Sequence, residues 1–527
     1  MLRSNLLSTR STPLWALALV MALASCEAGS VAPVEEACDD PTQRRPLEVS
    51  LAPGEVLAVG GIAPFCLEFP GEASEYVLAY LDRQFLSAPG GLPGPNPEPF
   101  AVEFGGAQRP TAPPATTQTP PAPSLHAPPV DLQFDPHSHA DAAMLAQGVF
   151  PYQRDRPWEV GEETEIWSPL KQEVRTIRIE QIHDDYLVFA SITGEEVPTL
   201  DWTLAQIDSA RTLLSETGIP LVREAFPGPL PLTSEGSGHF LVLIHPELGE
   251  ERGAVGVMYS LRADDGSFRY LAMVTPNAPD SRRTPVSLGD LILHEITHAF
   301  QYRHHREHHG GPPTGGLWAL EGGASLMQTE LNRHLAGIGL LENHDWREPS
   351  EGAAWDRFPI LATPSDGRLE RGYSRTGSFL LDQIRRRVTD GDSYADALAA
   401  VSQGVLHGWR SNAGNLQDRQ RELLGESWTP EEAILTWILS HAADDLTDSP
   451  VYQNQTLRNA WDIPGGSGGG WREEARIVVP RSQAHRSEHE VGSAGFVRLH
   501  ISQVGGVVGV TTSTHPGRIT WRLLRVR

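Results

Sequence analysis

Two histidines and a glutamate within five residues could together hold a metal ion and use it. His294, Glu295 and His298 lie in the segment SLGDLILHEITHAF, residues 287–300. On a helix with 3.6 residues per turn, histidines four apart project from one face and can share an ion. Hydrolytic zinc sites combine three protein ligands with an open position for water. Glu295 could then act as the general base on that water.

The residues around these histidines predict a buried helix over residues 287–303, with Ser287 as its N-cap. The neighbouring positions are apolar: Leu291, Ile292, Leu293, Ile296, Ala299 and Phe300. Buried imidazoles need polar partners. The pattern therefore favours a metal site over two histidines on the polar face of an ordinary helix.

Two residues compete for the third ligand position. Glu321 lies in WALEGGA, 23 residues after His298 on the next helical pattern. His304 completes H-E-x-x-H-x-x-Q-x-x-H, the spacing of the metzincin zinc site, in which a glycine turns the chain before the last histidine. Here Gln301 occupies the glycine position and favours a continued helix, which would carry His304 away from the ion. We therefore favour Glu321.

The combination of HEITHAFQYR with a downstream W-x-x-E-G-x-A resembles the gluzincins, zinc metallopeptidases with two histidine ligands and one glutamate. Hyicolysin-type bacterial members look similar over about residues 165–445. The resemblance implies one catalytic Zn²⁺ held by His294, His298 and Glu321, with Glu295 as base and proton shuttle. It also implies an endopeptidase that hydrolyses protein or peptide substrates with a zinc-activated water.

Gluzincins often add a tyrosine that donates a hydrogen bond to the oxyanion of the tetrahedral intermediate. Tyr373 lies in GYSRTGSF, which resembles the family's Tyr-x-x-Gly segment at a helix start, although its glycine, Gly377, comes one residue late. The resemblance therefore makes Tyr373 a catalytic candidate. A tyrosine that only packs at a helix N-terminus remains the alternative.

The N-terminus predicts export and lipid attachment. Arg3 and Arg10 precede a short apolar run at residues 14–23, and LASC ending at Cys26 resembles the lipobox of bacterial lipoproteins. We expect residues 1–25 to be a signal peptide and Cys26 to carry the lipid, although an ordinary signal peptide is the alternative. The protein would then be tethered in the bacterial cell envelope, at the outer membrane or cell surface. Cys38 and Cys66 would be left to form a disulfide.

The remaining pattern predicts an α+β protein with small flanking β domains. The resemblance to gluzincins implies a catalytic domain in which the zinc site lies between a small β-sheet subdomain and a helical subdomain. The expected divisions are a signal peptide (1–25), a small β domain (26–104), a Pro-rich linker (105–145), a β subdomain (146–199), the metallopeptidase domain (200–446) and a C-terminal β domain (447–527). A strand near residues 253–258 is expected at the edge of its sheet, where it could align an extended substrate.

Charge and composition exclude some functions. The chain has 42 Lys and Arg against 67 Asp and Glu, a net charge of −25, which disfavours nucleic-acid binding. A different class of function stays open, namely a catalytically silent lipoprotein that uses a gluzincin scaffold for binding or adhesion in the envelope. The histidines at 304, 305, 308 and 309 could form a metal-capture or pH-sensitive rim, but a solvated loop is the favoured interpretation.

Overall fold

The computed structural model describes residues 46–59, 65–82, 100–104, 107–108, 130–132, 156–248, 256–262, 267–276, 285–337, 369–406, 425, 429–443, 476–479, 485–489, 494–513 and 518–527, apart from residues 172, 184–185, 195, 198, 235, 312 and 314–316. Residues 1–45 lie outside this set, so the predicted signal peptide, lipid-bearing Cys26 and Cys38 are not described. Cys66 is buried in a strand, and the Cys38–Cys66 disulfide remains a prediction. None of the described helices combines the length and apolar character that crossing a membrane requires.

The described strands form three sheets. In chain order they are β1 (Leu47–Glu48), β2 (Val56–Val59), β3 (Phe65–Phe69), β4 (Ser74–Asp82), β5 (Phe100–Phe104), β6 (Ala107–Gln108), β7 (Val130–Leu132), β8 (Glu163–Ser168), β9 (Glu173–His183), β10 (Leu187–Ile192), β11 (Phe240–Ile244), β12 (Gly256–Arg262), β13 (Phe268–Val274), β14 (Arg476–Val479), β15 (His485–His489), β16 (Ala494–Ile501), β17 (Gly506–Thr512) and β18 (Ile519–Arg525).

Most of the described helices lie on one face of the central sheet. They are α1 (Leu200–Leu213), a π-helical turn (Leu214–Gly218), α2 (Ile219–Ala225), α3 (Pro285–His309), α4 (Leu317–Gly337), α5 (Leu369–Thr389), α6 (Tyr394–Leu406) and α7 (Pro430–Ala443). Helix α3 begins at Pro285, a favourable first helical residue. Ser287 therefore lies inside the helix, and its prediction as the N-cap is wrong.

The central sheet has the order β7-β12-β13-β11-β10-β9-β8 and mixes parallel with antiparallel pairs. Strand β11, FLVLI, is buried along its whole length and pairs in parallel with both β10 and β13. A continuous apolar run is what a strand covered on both faces requires. One face packs against the helices, including α3, and the other closes a smaller apolar core around Trp158 and Tyr259.

The two ends of the chain together form a β-sandwich. One sheet has the order β1-β3-β17-β5-β15 and the other the order β2-β18-β4-β16-β14-β6. Their facing sides share one apolar core, in which the Trp521 ring lies 5.3 Å from the rings of both Phe65 and Tyr80. Asp82, fully buried, accepts a hydrogen bond of 2.9 Å from Arg518 Nε across 436 residues of sequence.

The sandwich packs on the helical layer through α7. Val77 and Ala79, on the outer face of β4, belong to the same apolar core as α7 and α3. Arg498 on β16 donates a hydrogen bond of 3.0 Å to the carbonyl of Ala442 in α7. The sandwich and the helical layer therefore share a core.

The α+β class is confirmed, while the strand pairing differs from the expected domain boundaries. Segments 26–104 and 447–527 do not form two β domains, because their strands alternate within the same two sheets. Segment 146–199 supplies β8–β10 to the sheet that β11–β13 complete, so it is not separate from 200–446. Segment 105–145 contains β6 and β7, which pair with β14 and β12. These pairings join distant segments, and local periodicity does not encode them.

Candidate metal centre

Helices α3 and α4 bring the expected metal-binding residues together. His294, Glu295 and His298 lie on α3, and Glu321 lies near the start of α4. All four side chains are fully buried. Four polar side chains with no access to solvent cost free energy unless partners compensate for the water they lose.

Three ligand atoms converge on one point. His294 Nε2 lies 3.0 Å from Glu321 Oε2 and 3.1 Å from His298 Nε2, and His298 Nε2 lies 3.5 Å from the same carboxylate oxygen. Among the described residues this is the one group of three or more His, Cys, Asp or Glu side chains able to hold a metal ion. Two imidazole nitrogens and a carboxylate oxygen form the ligand set of a hydrolytic zinc site.

Two glutamines orient the imidazoles. His294 Nδ1 lies 2.9 Å from Gln328 Oε1, and His298 Nδ1 lies 2.9 Å from Gln301 Oε1. An amide oxygen can only accept, so each Nδ1 carries a proton. Each Nε2 can then present its lone pair to a metal ion or, without one, carry a second proton and donate it to Glu321. Such partners of metal-binding histidines fix the tautomer and the ring orientation.

The sequence offered a weak signal for both glutamines. Gln301 is three residues after His298, and Gln328 is seven residues after Glu321, so each lies on the same helix face as a ligand. Gln301 Nε2 also donates 2.9 Å to the carbonyl of Leu320, which ties α3 to the first turn of α4. Gln301 therefore orients an imidazole as well as continuing the helix.

Two glycines make room for these side chains. A Cβ at Gly323 would lie 2.5 Å from Gln301 Nε2, so α4 can approach the amide only with glycine there. A Cβ at Gly256, the first residue of β12, would lie 2.5 Å from Glu295 Oε1 and 2.7 Å from Leu291 Cδ1. The carboxyl of Glu295 therefore rests against the backbone of β12 at a position where a side chain does not fit. Neither Gly256 nor Gly323 stands out in the amino-acid sequence.

The two carboxyl groups have opposite pKa shifts. Burial raises the pKa of Glu295 well above its ordinary value, and the charge of Glu321 adds to this effect. Burial also acts to raise the pKa of Glu321, but the charge of His298 and hydrogen bonds from both histidines outweigh it and lower the pKa to about 2. Glu321 is thus suited to remain an anionic ligand, and Glu295 to exchange a proton. Burial lowers the pKa of His294, which favours the neutral ligand form.

The other expected residues lie elsewhere or outside the described set. His304 is not grouped with His294 and His298, because α3 continues without a turn to His309. Its ring packs 5.8 Å from Phe226 and 4.2 Å from His308. Tyr373 is the fifth residue of α5, but its side chain is not described.

The favoured interpretation of the histidine cluster as a solvated loop is wrong. The four residues form the last turns of α3, and His304 and His305 are only 2% exposed. His305 Nδ1 donates 2.9 Å to the carbonyl of Gly311, and His308 Nδ1 donates 2.8 Å to that of His304. The helix continues beyond the predicted boundary because these rings pack and bond along it.

No protein-family model matches the chain, and no curated protein matches it either. The geometry of the site therefore carries the functional interpretation. The converging Nε2 atoms, the ionised carboxylate and the two orienting amides fit a divalent metal ion. A buried His294, His298 and Glu321 group that could bind such an ion is thus present.

We expect the purified protein to retain about one equivalent of a divalent metal after dialysis, and His298→Ala to lose it. Removing one of three ligands leaves a buried site with two, which is too few for stable binding. Metal content measured by mass spectrometry checks this. His308→Ala, the same change on an exposed part of the same helix, is the matched control. Equal metal content in the two variants would contradict the assignment.

The buried pair His304 and His305 predicts a loss of stability in acid. Burial, with the neighbouring charge of His308, lowers the pKa of His304 to about 3, and burial lowers that of His305 to about 4. In the unfolded chain both titrate near 6.5, so the unfolded state binds more protons below that pH. The free energy of unfolding should fall between pH 6.5 and pH 4 by up to about 1.4 kcal/mol per pH unit for each histidine.

His304→Gln should reduce this slope, since the amide does not titrate, and denaturant unfolding at several pH values measures it. His308→Gln is the comparison: it removes a neighbouring charge but leaves burial, the larger cause of the His304 shift, unchanged, so most of the slope should remain. Identical slopes for wild type and His304→Gln would contradict the expected titration.

Proposed function

We propose that the protein is a zinc-dependent endopeptidase that hydrolyses peptide bonds, with His294, His298 and Glu321 as the zinc ligands. The convergence of the two Nε2 atoms and Glu321 Oε2 within 3.5 Å carries the proposal. A bound zinc ion would supply a Lewis acid that polarises the scissile carbonyl and lowers the pKa of a water molecule. The gluzincin-type arrangement of the catalytic domain belongs to the same proposal.

Glu295 is the proton carrier in this reaction. Its carboxylate accepts a proton from the attacking water as the new C–O bond forms. The carboxyl then gives this proton to the amide nitrogen, and the C–N bond breaks to release an amine and a carboxylic acid. The second proton of the water passes from the acid to the amine, which leaves a carboxylate and an ammonium group. A site that raises the pKa of this carboxyl suits both transfers, because the group must accept and donate a proton in one cycle.

Strand β12 is the element best placed to align an extended substrate. Its first residue, Gly256, touches the Glu295 carboxyl, so a peptide along this strand would run past the general base. The expectation of a free edge holds only in part: β7 pairs with Tyr259–Leu261, while the described strands leave Gly256–Met258 without a partner on that side. Main-chain hydrogen bonds to this short stretch would hold the substrate extended.

The remaining parts of the proposal rest on the sequence. The lipobox-like segment supports a lipid on Cys26 and a location in the bacterial envelope. A protein or peptide substrate outside the cytoplasm fits that location, and the net charge of −25 disfavours a nucleic-acid partner. The alternative of a catalytically silent scaffold predicts that the wild-type protein hydrolyses substrate no faster than a Glu295 variant does.

Glu295→Gln should retain the metal and lose hydrolysis of a protein substrate such as casein. The amide cannot carry a proton, and general acid–base catalysis contributes about 10²- to 10⁴-fold. Metal content and turnover are measured on the same preparation. Glu307→Gln, on an exposed part of α3, is the control and should remain active. Full activity in Glu295→Gln would contradict the proposed role.

Gly256→Ala should lower turnover without lowering metal content. The added methyl would displace the Glu295 carboxyl, while the three ligands lie on α3 and α4 and would stay in place. A misplaced catalytic group costs on the order of 10²-fold. Gly311→Ala, where nothing lies within 4 Å of an added Cβ, is the matched control. Unchanged turnover in Gly256→Ala would show that Glu295 does not need this contact.

Tyr373→Phe tests the proposed oxyanion donor. Loss of one such donor costs on the order of 10²- to 10³-fold in turnover. The loss should appear in kcat, with metal content unchanged. Wild-type kcat in the variant would leave Tyr373 without a catalytic role.

A further inference from the structure

The side-chain amide of Gln301 joins the two helices that carry the metal-binding residues. Its Oε1 lies 2.9 Å from His298 Nδ1, on its own helix α3. Its Nε2 donates 2.9 Å to the carbonyl of Leu320 on α4. That carbonyl belongs to the peptide group that leads into Glu321, the carboxylate of the candidate metal centre. One amide therefore contacts an imidazole ligand and the backbone next to the carboxylate ligand.

The carbonyl of Leu320 fixes which way round this amide lies. An amide has one accepting end and one donating end, and a carbonyl can only accept. A flipped amide would place its oxygen against the carbonyl oxygen of Leu320 and its NH₂ group against His298 Nδ1. Gln301 is fully buried, so water cannot relieve such a mismatch. The orientation of the amide, and with it the proton on His298 Nδ1, is therefore set from α4.

The close approach of α4 leaves no spare room around the amide. Outside its own helix, the nearest atoms to a Cβ added at Gly323 would be Gln301 Nε2 at 2.5 Å and Gln301 Cδ at 3.7 Å. Both residues are buried. A methyl group at position 323 must therefore move the amide, and moving the amide disturbs its hydrogen bonds to both helices.

The amide of Gln328 makes similar contacts around His294 but lacks the second connection. Its Oε1 lies 2.9 Å from His294 Nδ1, and its Nε2 donates 3.3 Å to the carbonyl of Asp290, one turn before that histidine on α3. This donated bond is longer, and the carbonyl that it reaches is not next to the carboxylate ligand. The side chain is only half-buried. Gln328 therefore orients one ligand, whereas Gln301 contacts the surroundings of two.

We infer that Gln301 is a positioning residue that couples two metal ligands, holding His298 through its amide oxygen and Glu321 through its bond to Leu320. The inference requires an amide at this position. A carboxylate partner raises the basicity of a metal-binding histidine, but it has no proton to donate to the carbonyl of Leu320. In a buried space its charge would face a carbonyl oxygen, so it should loosen the metal centre rather than tighten it. The inference rests on the proposed zinc ligands and not on hydrolysis.

The zinc affinity of the metal-stripped full-length chain, measured by competition with a chromophoric chelator, tests this coupling. Gln301→Glu should weaken zinc binding by about 10- to 100-fold, the usual effect of losing a partner of a metal ligand. Gln328→Glu, the same change at the amide without the second connection, is the matched control and should weaken zinc binding much less. Wild-type or tighter zinc binding by Gln301→Glu would overturn the inference, and so would equal losses in the two variants.

A double-mutant cycle tests the coupling without adding a charge. Gly323→Ala keeps every hydrogen-bonding group and favours the helix, but its methyl displaces the Gln301 amide, so it should weaken zinc binding by about 10-fold. In the Gln301→Ala background the amide is gone, and the same methyl should have little further effect. Losses in zinc affinity that simply add would contradict the coupling.

Co²⁺ bound in place of zinc reports on the ligands themselves, because its visible absorption depends on their number and arrangement. We expect an altered Co²⁺ spectrum in Gln301→Ala, since Glu321 loses its support. Gly311→Ala, with an added methyl in open space, is the control and should keep the wild-type spectrum. A wild-type spectrum in Gln301→Ala would overturn the inference. A wild-type chain that binds neither zinc nor Co²⁺ would instead overturn the metal centre itself.

Discussion

The architecture around the candidate metal centre depends on the convergence of two imidazoles and one carboxylate in a space without water. Burying His294, His298 and Glu321 together is costly unless an ion and fixed hydrogen bonds compensate. Helix α3 must therefore be covered near the histidines, and β12, β13, α1, α2, α4 and α6 pack against it. Helix α4 must approach α3 closely, and Gly323 and Gln301 are the residues that permit and hold this approach.

The same constraint separates the roles of the two glutamates. Glu321 gains the two histidines as partners, which lower its pKa, while Glu295 is buried against Gly256 and burial raises its pKa. The carboxyl of Glu321 lies among the ligands, and the carboxyl of Glu295 lies against the start of β12. Glu295 therefore links helix α3 to the strand that would hold a peptide. In the proposed reaction, proton transfer and substrate alignment would therefore both take place at the start of β12.

Local features of the chain could be predicted and long-range pairing could not. The i, i+4 spacing of His294 and His298 and the apolar run of β11 carry their structure within a few residues. The sandwich depends on contacts such as Asp82 with Arg518, which no window of sequence reveals. The burial of His304 could not be predicted, because residues 303–309 contain four histidines and two arginines, a composition typical of a solvated segment. Only the packing around α3 shows that His304 is buried.

Zinc K-edge X-ray absorption of the purified protein tests the central claim most directly. The account predicts a shell of nitrogen and oxygen ligands only, with imidazole scattering from two histidines and Zn–N distances of about 2.0–2.1 Å. Two imidazoles and a carboxylate at one buried ion are what the arrangement of His294, His298 and Glu321 requires. A sulfur-containing shell, or a shell of water oxygens without imidazole, would contradict it.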